Sequence, residues 1–298
     1  MSTSPKPMRF RPAARRVARP GRVPALVQRA LVALTAVALL LGLLTSTGDP
    51  AQAAARSGYL GIDVASHQHP GGAAINWRSV RASGVRFVLV KATEGAGRAG
   101  TVSTNAYFAQ DWKGAQSAGL LRGAYHYARP RMPMSTAVSD AKRFVAVIKA
   151  AGHGGGDLAP VLDLEETGGL GPKNLSEWTA TWLSEVTLLT GRKPIIYSGK
   201  GFWTSYLGNT SRFAGYPFWY AHHTSAVSPA ALPGGWSSWT FWQYSSKGRV
   251  AGIQTAVDLS WSCGAPGTTS THSGCSGAAA HQKAAAQPVT KSAAKRAP

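Results

Sequence analysis

The run from Ala159 to Glu165 ends in Asp163-Leu164-Glu165, two carboxylates separated by one apolar residue. Pro160 and the apolar residues after it read as a buried β-strand whose first position tolerates a missing N–H. Strand side chains alternate from face to face, so Asp163 and Glu165 fall on the same face at the strand's carboxyl end. Two neighbouring carboxylates cannot both ionise cheaply, and one is driven toward a raised pKa, where it can donate a proton near neutrality. That equipment suits cleavage of a glycosidic bond. A lone Asp-x-Glu is more often a pair of solvated acids opening a loop, so its surroundings decide.

Eight β-like runs could carry such a pair: Tyr59–Val64, Arg86–Thr93, Leu121–Ala128, Pro160–Glu165, Pro194–Ser198, Pro217–His222, Thr240–Ser245 and Gln254–Leu259. Helical patterns lie between the early ones, about Trp77–Ser83, Thr104–Ala118, Thr136–Ala151 and Leu175–Thr190, the last with Asn174 or Ser176 as N-cap. The later strands are joined by Gly/Ser/Pro-rich stretches such as Ser225–Ser238, with little room for a full helix. Alternating strands and helices predict a parallel sheet, and eight strands over roughly 205 residues predict a small α/β, TIM-like barrel. Its last helices are expected to be shortened or missing. An open doubly wound sheet is the structural alternative, but no Gly-rich phosphate fingerprint follows the first strand.

Barrel enzymes place their chemistry at the carboxyl ends of the strands. Asp63 ends the first predicted strand, Glu94 follows the second, Asp163 and Glu165 end the fourth, and Asp258 ends the eighth. Five of the eleven acids beyond residue 53 therefore converge on one rim, where scattered surface acids would fall on the helices. Glu94 has a plainer role open to it, pairing with Lys91. Tyr125, Tyr127, Tyr197 and Trp219 lie at or near strand ends, able to stack on sugar rings, donate hydrogen bonds or fill the core. His222 and His223 are successive strand positions whose side chains diverge, and the cysteines lack clustered histidines, so neither a metal site nor a cofactor is expected.

Several blocks carry a resemblance. Gly61-Ile62-Asp63-Val64 with Gln68, Lys91-Ala92-Thr93-Glu94-Gly95, Gly123 through Pro130, Val161 through Glu165, Phe218-Trp219-Tyr220-Ala221, and Phe241-Trp242-Gln243-Tyr244 through Asp258 together resemble the Chalaropsis-type lysozymes, glycoside hydrolase family 25. The likeness runs in order from about Gly58 to Ser262. It implies a (β/α)5β3 barrel and hydrolysis of the β-1,4 bond between N-acetylmuramic acid and N-acetylglucosamine in bacterial peptidoglycan. It also implies that Asp63, Asp163, Glu165 and Asp258 line the cleft, with Glu165 as general acid/base. Asp163 then stabilises charge on the sugar or orients its 2-acetamido group, which can serve as the nucleophile. Asp63 and Asp258 are open to a catalytic or a structural role. Tyr125, Tyr127, Tyr197, Trp219 and Gln243 become the substrate-contact candidates. Where the family often has Asp-x-Ser and an aromatic before the Gln, this chain reads Asp63-Val64-Ala65-Ser66-His67-Gln68. A chitinase-like N-acetylhexosaminidase is the alternative enzyme, but the first two acids of the chitinase pattern Asp-x-x-Asp-x-Asp-x-Glu fall on Leu158 and Val161. A non-catalytic wall-binding protein would need neither Asp163 nor Glu165.

Charge and the chain ends bear on location. Residues 1–53 hold an arginine-rich start, an apolar run from Ala30 to Leu44 and the small-x-small triplet Ala51-Gln52-Ala53, which reads as a secretory signal peptide. The apolar run is shorter than the ~20 residues of a membrane span, so no lasting membrane insertion is expected. The formal charge is +20, and the part from Ala54 carries 24 bases and 11 acids, a balance of +13. Such a surface favours anionic wall polymers; no basic run with interleaved aromatics points to nucleic acid. Cys263 and Cys275 read as one disulfide in an oxidising compartment. The barrel domain is placed at 54–263, and residues 264–298 read as a disordered basic Ala/Gly/Ser-rich tail. The expected location is extracellular or in the cell wall.

Overall fold

In a computed structural model, described over residues 58–96, 100–224 and 231–266, eight strands close on themselves. They are β1 (Tyr59–Val64), β2 (Val85–Glu94), β4 (Leu121–Tyr127), β5 (Val161–Asp163), β6 (Ile195–Gly199), β7 (Phe218–Ala221), β8 (Phe241–Gly248) and β9 (Val257–Ser262). A two-residue strand, β3 (Ser103–Thr104), is appended to the end of β2. Pairing of β1 with both β2 and β9 completes the circle. One helix follows each of the first five barrel strands: α1 (Trp77–Ala82), α2 (Phe108–Ser117), α3 (Ser135–Ala150), α4 (Pro172–Thr190) and α5 (Lys200–Tyr206). No helix follows β7, β8 or β9 among the described residues, which gives the (β/α)5β3 arrangement.

Alternation along the strands builds two apolar layers. On β2, Phe87 and Leu89 join an inner cluster with Tyr125, Val161, Ile195 and Phe241, while Val88, Val90 and Ala92 face the helices. Both faces are covered, so these strands read as near-continuous apolar runs. The floor is tightly filled: a Cβ on Gly61 would lie 2.1 Å from a Phe87 ring atom, so only glycine fits beside that ring. Helix α3 closes the outer layer with Ala137, Ala141, Phe144, Val145 and Ile148, a helical-period stripe. α4 does the same with Leu175, Trp178, Trp182 and Val186 and stops at Gly191, whose φ of 68° suits a left-handed cap.

Three expectations need correction. β9 runs antiparallel to both β8 and β1, so the sheet is mixed rather than all parallel. The short link from β8 to β9 is too small for a right-handed crossover, and a hairpin is what such a link permits. α4 begins not at Asn174 or Ser176 but with Gly171 as N-cap and Pro172 in the first turn, where proline's missing N–H costs nothing. β5 ends at Asp163, two residues short of Glu165. The segment read as signal peptide, and the part of the basic tail beyond residue 266, lie outside the described residues.

Candidate active site

The rim where the parallel strands end gathers the predicted acids. Asp63 sits one residue from the end of β1, and Asp258 sits directly across from it at the start of β9. Asp258 therefore reaches the rim from the amino end of a reversed strand, not from the carboxyl end of a parallel one. Gln243 of β8, 2% exposed, bridges the two: its Nε2 donates to Asp63 Oδ2 at 2.9 Å and to Asp258 Oδ2 at 3.4 Å. Its Oε1 accepts from the Tyr197 hydroxyl at 3.0 Å and lies 2.9 Å from Nε2 of His223. Both N–H donors and the oxygen of this amide are engaged in this arrangement.

Asp163 ends β5 between its register neighbours Tyr127 and Tyr197. The backbone beyond it is pinned: Leu164 N–H donates to Tyr197 O at 3.0 Å, and Ser198 Oγ donates to Leu164 O at 2.8 Å. Leu164 is buried outward, so Glu165 emerges on the opposite side and is exposed at the rim. Asp163 is 6% exposed, and its Oδ1 has no protein partner.

Glu166 is not the solvated neighbour that its loop position suggests. Tyr127 Oη donates to it at 2.9 Å and Arg129 at 2.6 Å, while Arg129 also reaches Glu94 at 2.6 Å. Glu94 in turn takes Lys91 Nζ at 2.5 Å, the pairing expected of it. Lys91 and Arg129 lie over the Tyr127 ring, 4.7 and 5.2 Å from its centroid. Burial raises the Glu94 pKa, but the hydrogen bonds of Lys91 and Arg129 outweigh it and hold that carboxyl ionised.

The four predicted acids are pushed the other way. Burial raises Asp163 well above the usual carboxylate range, and the charges of Glu165 and Asp63 add to it against Lys91. Burial does the same to Asp63, followed by Asp258, with Gln243's hydrogen bond opposing. Glu165 is raised by burial of its carboxyl and then by Glu166 and Asp258, with Lys91 and His223 opposing. Asp258 is raised by burial against His223 and His67. A carboxyl whose pKa is raised and which opens to the rim is suited to carry a proton and give it up, and the acids around it can take up negative charge beneath a cation forming above them.

Residues 62–253 match the model of glycosyl hydrolases family 25. The chain belongs to that family. The hydrolase is 35% identical over 215 residues to lysozyme M1 of Streptomyces globisporus, covering 68% of this chain and 67% of that one. It is 32% identical over 213 residues to the N,O-diacetylmuramidase of Chalaropsis, covering 66% of this chain and 93% of the relative. A bacterial lysozyme structure from Streptomyces coelicolor superposes with a TM-score of 0.60 at 32% identity, over 70% of this chain and 94% of the other. A family GH25 lysozyme from Aspergillus fumigatus gives 0.58 at 30% identity, over 70% and 95%.

The aromatic candidates divide by position in the hydrolase. Tyr127 is half-buried beside Glu166, and Tyr125 is 7% exposed in the barrel mouth. Burial, reinforced by the surrounding carboxylates, raises both phenols, which stay protonated as donors. Tyr197 has its hydroxyl committed to Gln243. Trp219 is 2% exposed, packs on Tyr197 at 4.5 Å between ring centroids, and donates Nε1 to Ser260 Oγ at 3.1 Å. Its ring is buried in the barrel beside Tyr197 and Ser260 and does not stand open at the rim. Arg129, Glu166 and His223 were not among the predicted site residues. Nothing local signals them: Arg129 and Glu166 are 37 residues apart and meet only when β4 and β5 lie side by side.

Proposed function

We propose that the hydrolase is a secreted lysozyme that cleaves the β-1,4 bond between N-acetylmuramic acid and N-acetylglucosamine of bacterial peptidoglycan. The observation that carries the reading is Glu165, exposed at the rim with a raised pKa, beside a buried Asp163 whose Oδ1 is unpartnered. Glu165 donates its proton to the glycosidic oxygen as the bond from that oxygen to C1 breaks. The 2-acetamido oxygen closes onto C1, with its N–H donated to Asp163. Water then attacks C1, the acetamido oxygen leaves, and the water's proton returns to Glu165. Asp63 and Asp258, clamped by Gln243, form the opposite wall, and Tyr125 and Tyr127 supply hydroxyl donors. Digestion of purified peptidoglycan, borohydride reduction and mass analysis test the reading. Fragments ending in reduced N-acetylmuramic acid are expected; fragments ending only in reduced N-acetylglucosamine, or cleavage confined to chitin oligosaccharides, would refute it.

Residues 1–53 act in this reading as the export signal, and Cys263 pairs with Cys275. Cys263 is buried just after β9, and Cys275 lies outside the described residues. Among the described residues, no helix is long and apolar enough to cross a membrane. The secreted protein should begin at Ala54 and gain two thiols only on reduction; N-terminal sequencing that starts at Met1 would exclude cleavage. The excess of bases beyond residue 53 draws the enzyme to anionic wall polymers while the acidic rim does the chemistry. Raising salt from 0.1 to 1 M shortens the screening length from about 10 Å to about 3 Å. Adsorption to whole walls should then weaken strongly while turnover of short soluble glycans changes little. Adsorption indifferent to salt would rule the division out.

A further inference from the structure

We propose that His223 is a positioning residue for the carboxylate cluster: through Gln243 it sets the geometry of Asp63 and Asp258, and a positive charge on its ring bears on the neighbouring acids. The inference rests on the proposed reading of Glu165 as general acid. His223 lies just past the end of β7, exposed at the rim, with Nε2 2.9 Å from Gln243 Oε1. An amide oxygen only accepts, so this nitrogen must carry hydrogen, either in the neutral Nε2–H form or in the imidazolium. With Tyr197 Oη on the same oxygen, two donors hold the amide so that its nitrogen points at Asp63 and Asp258. Removing one donor frees a buried amide to rotate, and rotation would turn its oxygen toward two carboxylates.

The charged groups around the ring lie on several elements. Asp258 at the start of β9 and Glu165 beyond β5 both feel a proton on His223 and are lowered by it. His222 stands next to it, lowered chiefly by burial and also by Lys200 and His223. His67, after β1, acts on Asp258 in the same sense as His223, and Lys91 acts likewise on Glu165, while Glu166 opposes. A positive charge at 223 therefore favours the ionised forms of Asp258 and Glu165, and its removal shifts the acid side of the profile upward.

Two substitutions separate the donor from the charge. His223→Gln retains an N–H for Gln243 but carries no charge. The acid limb of its profile of kcat/KM against pH is expected to move up by about half a unit, with the alkaline limb moving less. His223→Phe removes the donor as well, and kcat at the optimum is expected to fall about tenfold below that of His223→Gln. The residue is exposed, and thermal melting confirms that both variants fold. An acid limb of His223→Gln that coincides with the parent's, or equal kcat in the two variants, overturns the proposal. Glu165→Gln is measured alongside: if it stays active, the reading of Glu165 fails. If it is inactive while His223→Gln leaves the profile unmoved, only the role of His223 fails.

Discussion

Glu165→Gln is expected to lower turnover of peptidoglycan by about 10²–10⁴-fold, the usual contribution of a positioned general acid/base. Gln is close to isosteric, and Glu165 is exposed at the rim, so the barrel should lose little stability. The backbone that presents the residue is held independently by Leu164 N–H to Tyr197 O and by Ser198 Oγ to Leu164 O. Circular dichroism and melting should match the parent while release of reducing ends collapses. The neighbouring Glu166 cannot take over, because Tyr127 and Arg129 occupy its two oxygens. Near-normal turnover by a folded Glu165→Gln would move the proton donor elsewhere.

Asp163→Asn is expected to separate activity from stability in opposite directions. Asn keeps a neutral acceptor for the acetamido N–H but cannot give up a proton to become an anion beneath the developing cation, which should cost about 10²-fold or more in turnover. Stability should move the other way. Burial, with Glu165 and Asp63 nearby, lifts the folded-state pKa of Asp163 well above that of the unfolded chain, about 3.9. Below that value both states hold the proton and no ionisation penalty exists. As pH rises toward the folded pKa, the folded state keeps a proton that the unfolded state has released, so stability falls. Asn does not titrate and escapes that loss. The variant should melt higher than the parent at pH 7, by on the order of 2–4 °C, with the gap closing near pH 4. A gap that is absent at pH 7, or that widens toward acid, would contradict a raised pKa at this position.

Much of this was legible in the chain because local chemistry enforces it. Asp163-Leu164-Glu165 at the end of an apolar run suggests alternation, and the buried Leu164 between two acids matches it although the strand itself stops at Asp163. The apolar stripes of α3 and α4 likewise announce helices. α5 was not visible, since seven residues from Lys200 to Tyr206 bury only Trp203 and leave little periodic signal. The direction of β9 is not visible in Val257–Ser262 itself, which alternates identically whichever way it runs. The short link from β8 decides it, and closure of the barrel then brings Asp258 opposite Asp63. The Gln243 fork, the Arg129–Glu166 pair and the contact of His223 belong to the same category. Each joins groups separated by 15 to 180 residues along the chain. Sequence fixes which side chains a strand offers to its face; which partners they meet depends on the stagger of neighbouring strands, which is a property of the closed sheet.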